Sequence, residues 1–157
     1  MFDYHDSLGN RYISREDEGK DFLDTLIYAL EKRKKAYDNS DKSKRAKDFY
    51  KTLEPLLICI DDISHFIACF QENEREILEV LKMASSMAAN IVATTAPNQI
   101  VGFGPMQKLF KDCINGLVLG NPAEQSYLTP GLRKEREADI GYLYNNGQVT
   151  KLKLPLV

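Results

Sequence analysis

Residues 55–66, "PLLICIDDISHF", place two carboxylates, Asp61 and Asp62, directly after an apolar run. Four apolar residues, Leu57–Ile60, followed by an acid form the pattern with which a nucleotide-hydrolysing site holds Mg²⁺. A buried strand makes the backbone rigid, and the carboxylate at its end reaches the metal, usually through water. In such sites the next residue is a glutamate that activates the attacking water. Here Asp62 stands in that place. Aspartate is one methylene shorter, so its carboxylate falls roughly 1.5 Å short, judged from standard bond lengths. A displacement of about 1 Å can cost about a hundredfold in rate. The same two residues also have a simpler reading, as a strand end and a helix N-cap.

The other half of such a site is a phosphate cradle. The motif G-x-x-x-x-G-K-[ST] occurs nowhere in the 157 residues. That loop supplies backbone N–H groups, the lysine and the Mg²⁺-binding hydroxyl. The "GFGP" stretch at 102–105 is no substitute, since it holds no lysine and its proline removes an N–H. Asp61 is therefore the one residue expected to meet Mg²⁺, and only where a P-loop completes the site.

The elements that must position these residues alternate in type. "DFLDTLIYALEKRKKAY" sets Phe22, Leu23, Leu26, Ile27 and Leu30 at helical spacing, and the cations 32–35 suit a solvated helix end. Ser14 and Asp17 can cap this helix, and "MFDYH" opens the chain as a strand. Leu56–Ile60 is a continuous apolar run, the pattern of a strand buried on both faces, and Cys59 within it is expected to be buried. Helices are expected from Asp62 and over "NEREILEVLKMASSMAAN", with Ile77, Leu78, Leu81, Ala84 and Ala88 on one side. "IVATTA" and "INGLVLG" read as further buried strands, with a short helix "MQKLFKDC" between them. Near the end, apolar residues flank Asn146-Gly147, the strongest short hairpin signal. Strands separated by helices predict an α/β sheet, mainly parallel, with flanking helices and a C-terminal β-hairpin. Ligands in such sheets bind at the carboxyl ends of strands, where this chain places Asp61-Asp62 and Thr94-Thr95.

Composition narrows the classes. A net charge of −2 carries no basic excess for nucleic acid. The run 32–35 is a feature that favours a nucleic-acid-binding protein, against that near-neutral charge. No apolar stretch approaches the roughly 20 residues of a membrane helix, and the N-terminus lacks the order of a signal peptide. Three cysteines without C-x-x-C spacing, and only two histidines, argue for a reduced compartment and against zinc.

The order of segments resembles the FtsK/SpoIIIE-type P-loop ATPases, and within them the C-terminal ATPase domain of the EssC-type motors of type VII secretion. "FDYH" is similar to the strand after the P-loop helix, "LICIDDISHFI" to the Walker B strand and its helix, and "NIVATTAP" to the sensor strand. "GYLYNNGQVTKLKLP" is similar to the closing hairpin, placed at 140–155. The resemblance implies a partial RecA-like sheet, residues 1–157 being a single post-P-loop part of such a domain. It implies Walker B-like roles for Asp61 and Asp62 and a sensor role for Thr95. Departures accompany it: the P-loop is missing, Asp62 replaces glutamate, Thr95 replaces a common glutamine, and Gly116 falls where motor members often carry arginine. These departures predict no ATPase activity and no cofactor for the chain alone, with ATP and Mg²⁺ belonging to the complete parent domain.

The resemblance further implies a Gram-positive cytosolic module, held at the inner face of the cell membrane by its motor. Its expected partners are the rest of the motor and secreted WXG-type helical hairpins, recognised through their C-terminal tails. Open sheet edges would favour a homo-oligomer or a strand-swapped dimer. The alternative is a half-enzyme that lends its Walker B acids to a P-loop on other sequence.

Overall fold

The computed structural model describes residues 19–96, 98–124, 131–133 and 139–154. The expected opening strand and the Ser14/Asp17 cap lie outside them. The described residues divide into two compact units: 19–61 with 65–93, and 62–64 with the described residues from 94 onward.

The first unit is built on α1 (Gly19–Asp38), whose Leu23, Leu26 and Leu30 are buried. The helix follows from its apolar stripe and from the strong helix formers between. A short helix α2 (Ala46–Tyr50) precedes strand β1 (Leu57–Ile60). Helices α3 (Ile63–Cys69) and α4 (Glu74–Ser86) follow, and then strand β2 (Asn90–Ala93). The amphipathic α4 buries Ile77, Leu78, Leu81 and Ala84 and contacts α1 and β2. It ends at Ser86 with Met87 as its C-cap, so Ala88, expected on the helix's apolar side, lies beyond it with a left-handed backbone (φ 59°). Phe22 on α1 meets Phe66 and Phe70 at ring distances of 6.2 and 6.1 Å, an aromatic cluster that seats α3 on α1.

β1 and β2 pair in parallel, Leu57 opposite Asn90 and Ile60 opposite Ala93. The continuous apolar run of β1 is buried on one face only. Ile58 and Ile60 are each 4% exposed, whereas Leu57 is 58% and Val92 54% exposed. Cys59, expected to be buried, is exposed with them. The cause is the two-residue repeat of a strand: Leu57 and Cys59 point away from Ile58 and Ile60, and only the latter side is covered.

The second unit begins with residues 62–64 and contains α5 (Pro105–Lys111), strand β3 (Asn115–Leu119), a 3₁₀ turn (Pro122–Glu124), and strands β4 (Ile140–Asn145) and β5 (Gln148–Lys153). β3, β4 and β5 form an antiparallel sheet in that order. The mixed α/β fold with a small parallel sheet and a C-terminal hairpin is as the sequence predicts. The third strand differs in detail: it pairs with the hairpin, not with the parallel strands. It is also not buried throughout, since Leu117 and Leu119 are exposed and Val118 joins Ile140 and Tyr142 in a small core. The hairpin turn is Asn146-Gly147, with φ 47° and 86°, values that the twist of a two-residue turn requires and that glycine adopts without strain. Gly141 answers a different need: a Cβ there would lie 3.2 Å from Leu154 Cδ2.

Candidate functional site

The sequence places its acids where two strands end, and the structure shows what holds them. β1 stops at Ile60, so Asp61 and Asp62 are the first residues beyond it, both exposed. Asp62 has a left-handed backbone (φ 66°), a conformation that aspartate tolerates better than most residues. Its main-chain N–H donates to Thr94 Oγ1 at 3.1 Å, and the next amide, Ile63 N–H, donates to the Thr94 carbonyl at 2.9 Å. Its carboxylate Oδ1 accepts the Ser64 N–H at 2.9 Å, satisfying an amide in the first turn of α3 that has no partner within the helix. The Ser64 hydroxyl in turn donates to the Gln99 carbonyl at 3.2 Å. Asp62 is thus a helix-capping residue.

This arrangement sets an expected result. Asp62→Ala removes the acceptor for Ser64 N–H and puts a methyl side chain in the left-handed region, and it should lower stability by about 1–2 kcal/mol in urea unfolding. Asp62→Asn, which keeps a capping oxygen and tolerates that backbone, should fall within about 0.5 kcal/mol of the parent. Equal losses in the two variants would refute the capping role.

Thr95, the expected sensor residue, donates its hydroxyl to the Ala96 carbonyl at 3.2 Å, a local bond beyond the end of β2. The residue that bonds to the loop before α3 is its neighbour Thr94, through both hydroxyl and carbonyl. The signal for it is positional, since Thr94 is the first residue past the parallel strand. Gly116 lies inside β3 opposite Tyr144 and carries no side chain toward any site. The loop at 102–105 gains a cation from outside its own sequence: Lys111 Nζ donates to the Gly102 carbonyl at 2.8 Å and stands 5.3 Å from the centre of the fully exposed Phe103 ring. That lysine serves a carbonyl and an aromatic face.

The larger surprise is Arg33, in the basic run that reads as solvated. It is 9% exposed. Its Nη1 donates to the Glu54 carbonyl at 2.7 Å, Nη2 to Tyr50 and Met87 carbonyls at 2.9 and 3.0 Å, and Nε again to Met87 at 3.2 Å. One guanidinium therefore ties α1 to the end of α2, to the approach to β1 and to the C-terminus of α4. The signal was in the spacing: Leu23, Leu26, Leu30 and Arg33 follow one helical stripe.

No protein-family model matches the chain, and no curated protein does. Among solved structures, it superposes on one titled as the cytoplasmic domain of EssC with a TM-score of 0.67 and 19% identity, over 98% of this chain and 32% of that one. The chain has the fold found in EssC. A second structure, EssC ATPases 2 and 3 from Geobacillus thermodenitrificans, gives a TM-score of 0.67 at 21% identity, over 92% of this chain and 27% of that one. The chain spans about a third or less of either EssC structure.

The motif G-x-x-x-x-G-K-[ST] does not occur in the sequence, and the Asp62 carboxylate accepts the Ser64 amide. Among the described residues no three His, Cys, Asp or Glu side chains converge as in a metal cage, and no helix is long and apolar enough to cross a membrane.

Proposed function

We propose that this chain is the post-P-loop part of an EssC-type ATPase domain, without catalysis of its own, that acts in substrate recognition or motor assembly in type VII secretion. The observation that carries this reading is the EssC fold over 98% of the chain. The capping role of Asp62 supports the non-catalytic part of it. Its partners would be the remainder of the motor and secreted WXG-type helical hairpins, held through their C-terminal tails. Its place would be the cytosolic face of the cell membrane of a Gram-positive bacterium, reached through the motor.

The test is a calorimetric titration with the C-terminal tail peptide of a WXG-type protein encoded beside this one. Saturable binding that a scrambled peptide lacks is expected. In parallel, millimolar Mg-ATP is expected to leave the melting temperature unchanged. A rise that Asp61→Asn removes would overturn the non-catalytic reading, because a ligand that binds only the folded state must stabilise it.

One observation favours a second reading. Asp61 keeps the position of a metal-binding acid, immediately beyond β1. The chain would then complete a nucleotide site whose P-loop lies on other sequence. ATP hydrolysis on mixing with a P-loop-bearing EssC segment, lost in Asp61→Asn, is the result that reading requires.

A further inference from the structure

We propose that the first unit carries an anion site, a hollow walled by Arg33, Lys47 and Lys51 that takes a phosphate-type oxyanion. The inference is independent of the secretion role. The hollow has a volume of about 340 Å³, and Tyr50, Ser85 and Asn90 also line it. Among the described residues no Asp or Glu lines it.

Three features point to an anion. The first is the buried guanidinium. Arginine has five N–H donors, and the four hydrogen bonds of Arg33 all go to carbonyl oxygens. Among the described residues no carboxylate forms an ion pair with it, and Nη1 bonds to one carbonyl, that of Glu54. Carbonyl dipoles solvate this cation but do not neutralise it, so a positive potential persists in a poorly solvated place.

The second feature is the pair of lysines. Lys47 and Lys51 are exposed at the rim, one helical turn apart in sequence, and can swing toward a bound ion. With Arg33 they bring three positive charges to one hollow. That sum suits a phosphate dianion better than a single carboxylate, and lysines bind phosphate as mobile point charges.

The third is the neutral lining. Burial, then Asp38 and Tyr37, push the Tyr50 phenol above its ordinary pKa against the opposing pull of Arg33; the phenol is a neutral donor, and the Asp38 charge is one an anion must outweigh. Ser85 and Asn90 offer neutral donors.

The site would accept phosphate either free or as a monoester, and the test separates these sources. The intact chain is titrated with inorganic phosphate and with glycerol phosphate, ionic strength being held constant with sodium chloride. Calorimetry and melting temperature are the readouts. Saturable binding with a rise in melting temperature is expected, and it should weaken about tenfold or more in the Lys47→Gln/Lys51→Gln variant. Both lysines are exposed, so this variant keeps the fold that an Arg33 substitution would disturb. Binding of inorganic phosphate alone would identify a free ion, and equal binding of the monoester would identify a phosphoryl group on an organic carrier; either supports the site. Phosphate acting no differently from chloride, or binding unchanged in the double variant, would overturn it.

Discussion

Replacing Arg33 by methionine is expected to lower stability by about 3 kcal/mol, a loss set by the carbonyls left behind rather than by the lost charge. Methionine matches the apolar stem but offers no donor. The carbonyls of Tyr50, Glu54 and Met87 would then lose the partner that Arg33 gives them. A buried acceptor left without a partner costs about 1–3 kcal/mol. Water entering through the adjacent hollow would recover part of this, which keeps the expected figure well below the sum of three such penalties. Against a typical total of about 5–15 kcal/mol, the loss is large.

Arg33→Lys should recover less than half of it, as roughly judged from geometry: one ammonium cannot reach carbonyls on three separate segments, whereas the planar guanidinium does. Urea unfolding followed by circular dichroism measures both variants. A loss below about 1 kcal/mol for the methionine variant would mean that water replaces the guanidinium almost fully.

Arg33 also shows where sequence reasoning stops. Its neighbours Lys32, Lys34 and Lys35 are exposed, as a solvated helix end implies. Arg33 differs because it falls on the stripe of Leu23, Leu26 and Leu30, and what it meets there comes from residues 50, 54 and 87. Periodicity says which side of a helix faces inward. It does not say that three carbonyls arrive on that side, of which Tyr50 has a second donor in the Leu53 N–H at 3.3 Å. The hairpin was fully legible for the opposite reason, because Asn146-Gly147 specifies its own backbone angles. The pairing of β3 was not, since alternation along a strand does not name its neighbour. The acids were legible as a strand end, and the dual reading of Asp62 was already set by residue type. What the structure adds to the capping reading is the Ser64 amide, two residues on, within hydrogen-bond reach of its carboxylate.

The second large effect is expected within β1 itself, where adjacent residues should respond in opposite ways. Ile58→Ala removes a side chain that is 4% exposed, on the covered face of the strand, and should cost about 3 kcal/mol through lost burial and the cavity that remains. Leu57→Ala removes a larger exposed surface one residue away and should change stability by no more than about 0.5 kcal/mol. Parallel sheets are ordinarily covered on both faces, so Leu57, Cys59 and Val92 together form a surface of the kind that proteins cover. The Leu57 variant reads whether anything does so in solution. A near-zero effect, independent of protein concentration, means that the face is open in the isolated chain. A loss comparable to that of Ile58→Ala, growing with protein concentration, would mean that a second copy buries Leu57. The expectation for the chain alone would then fail in favour of a homo-oligomer formed through the open side of its parallel sheet.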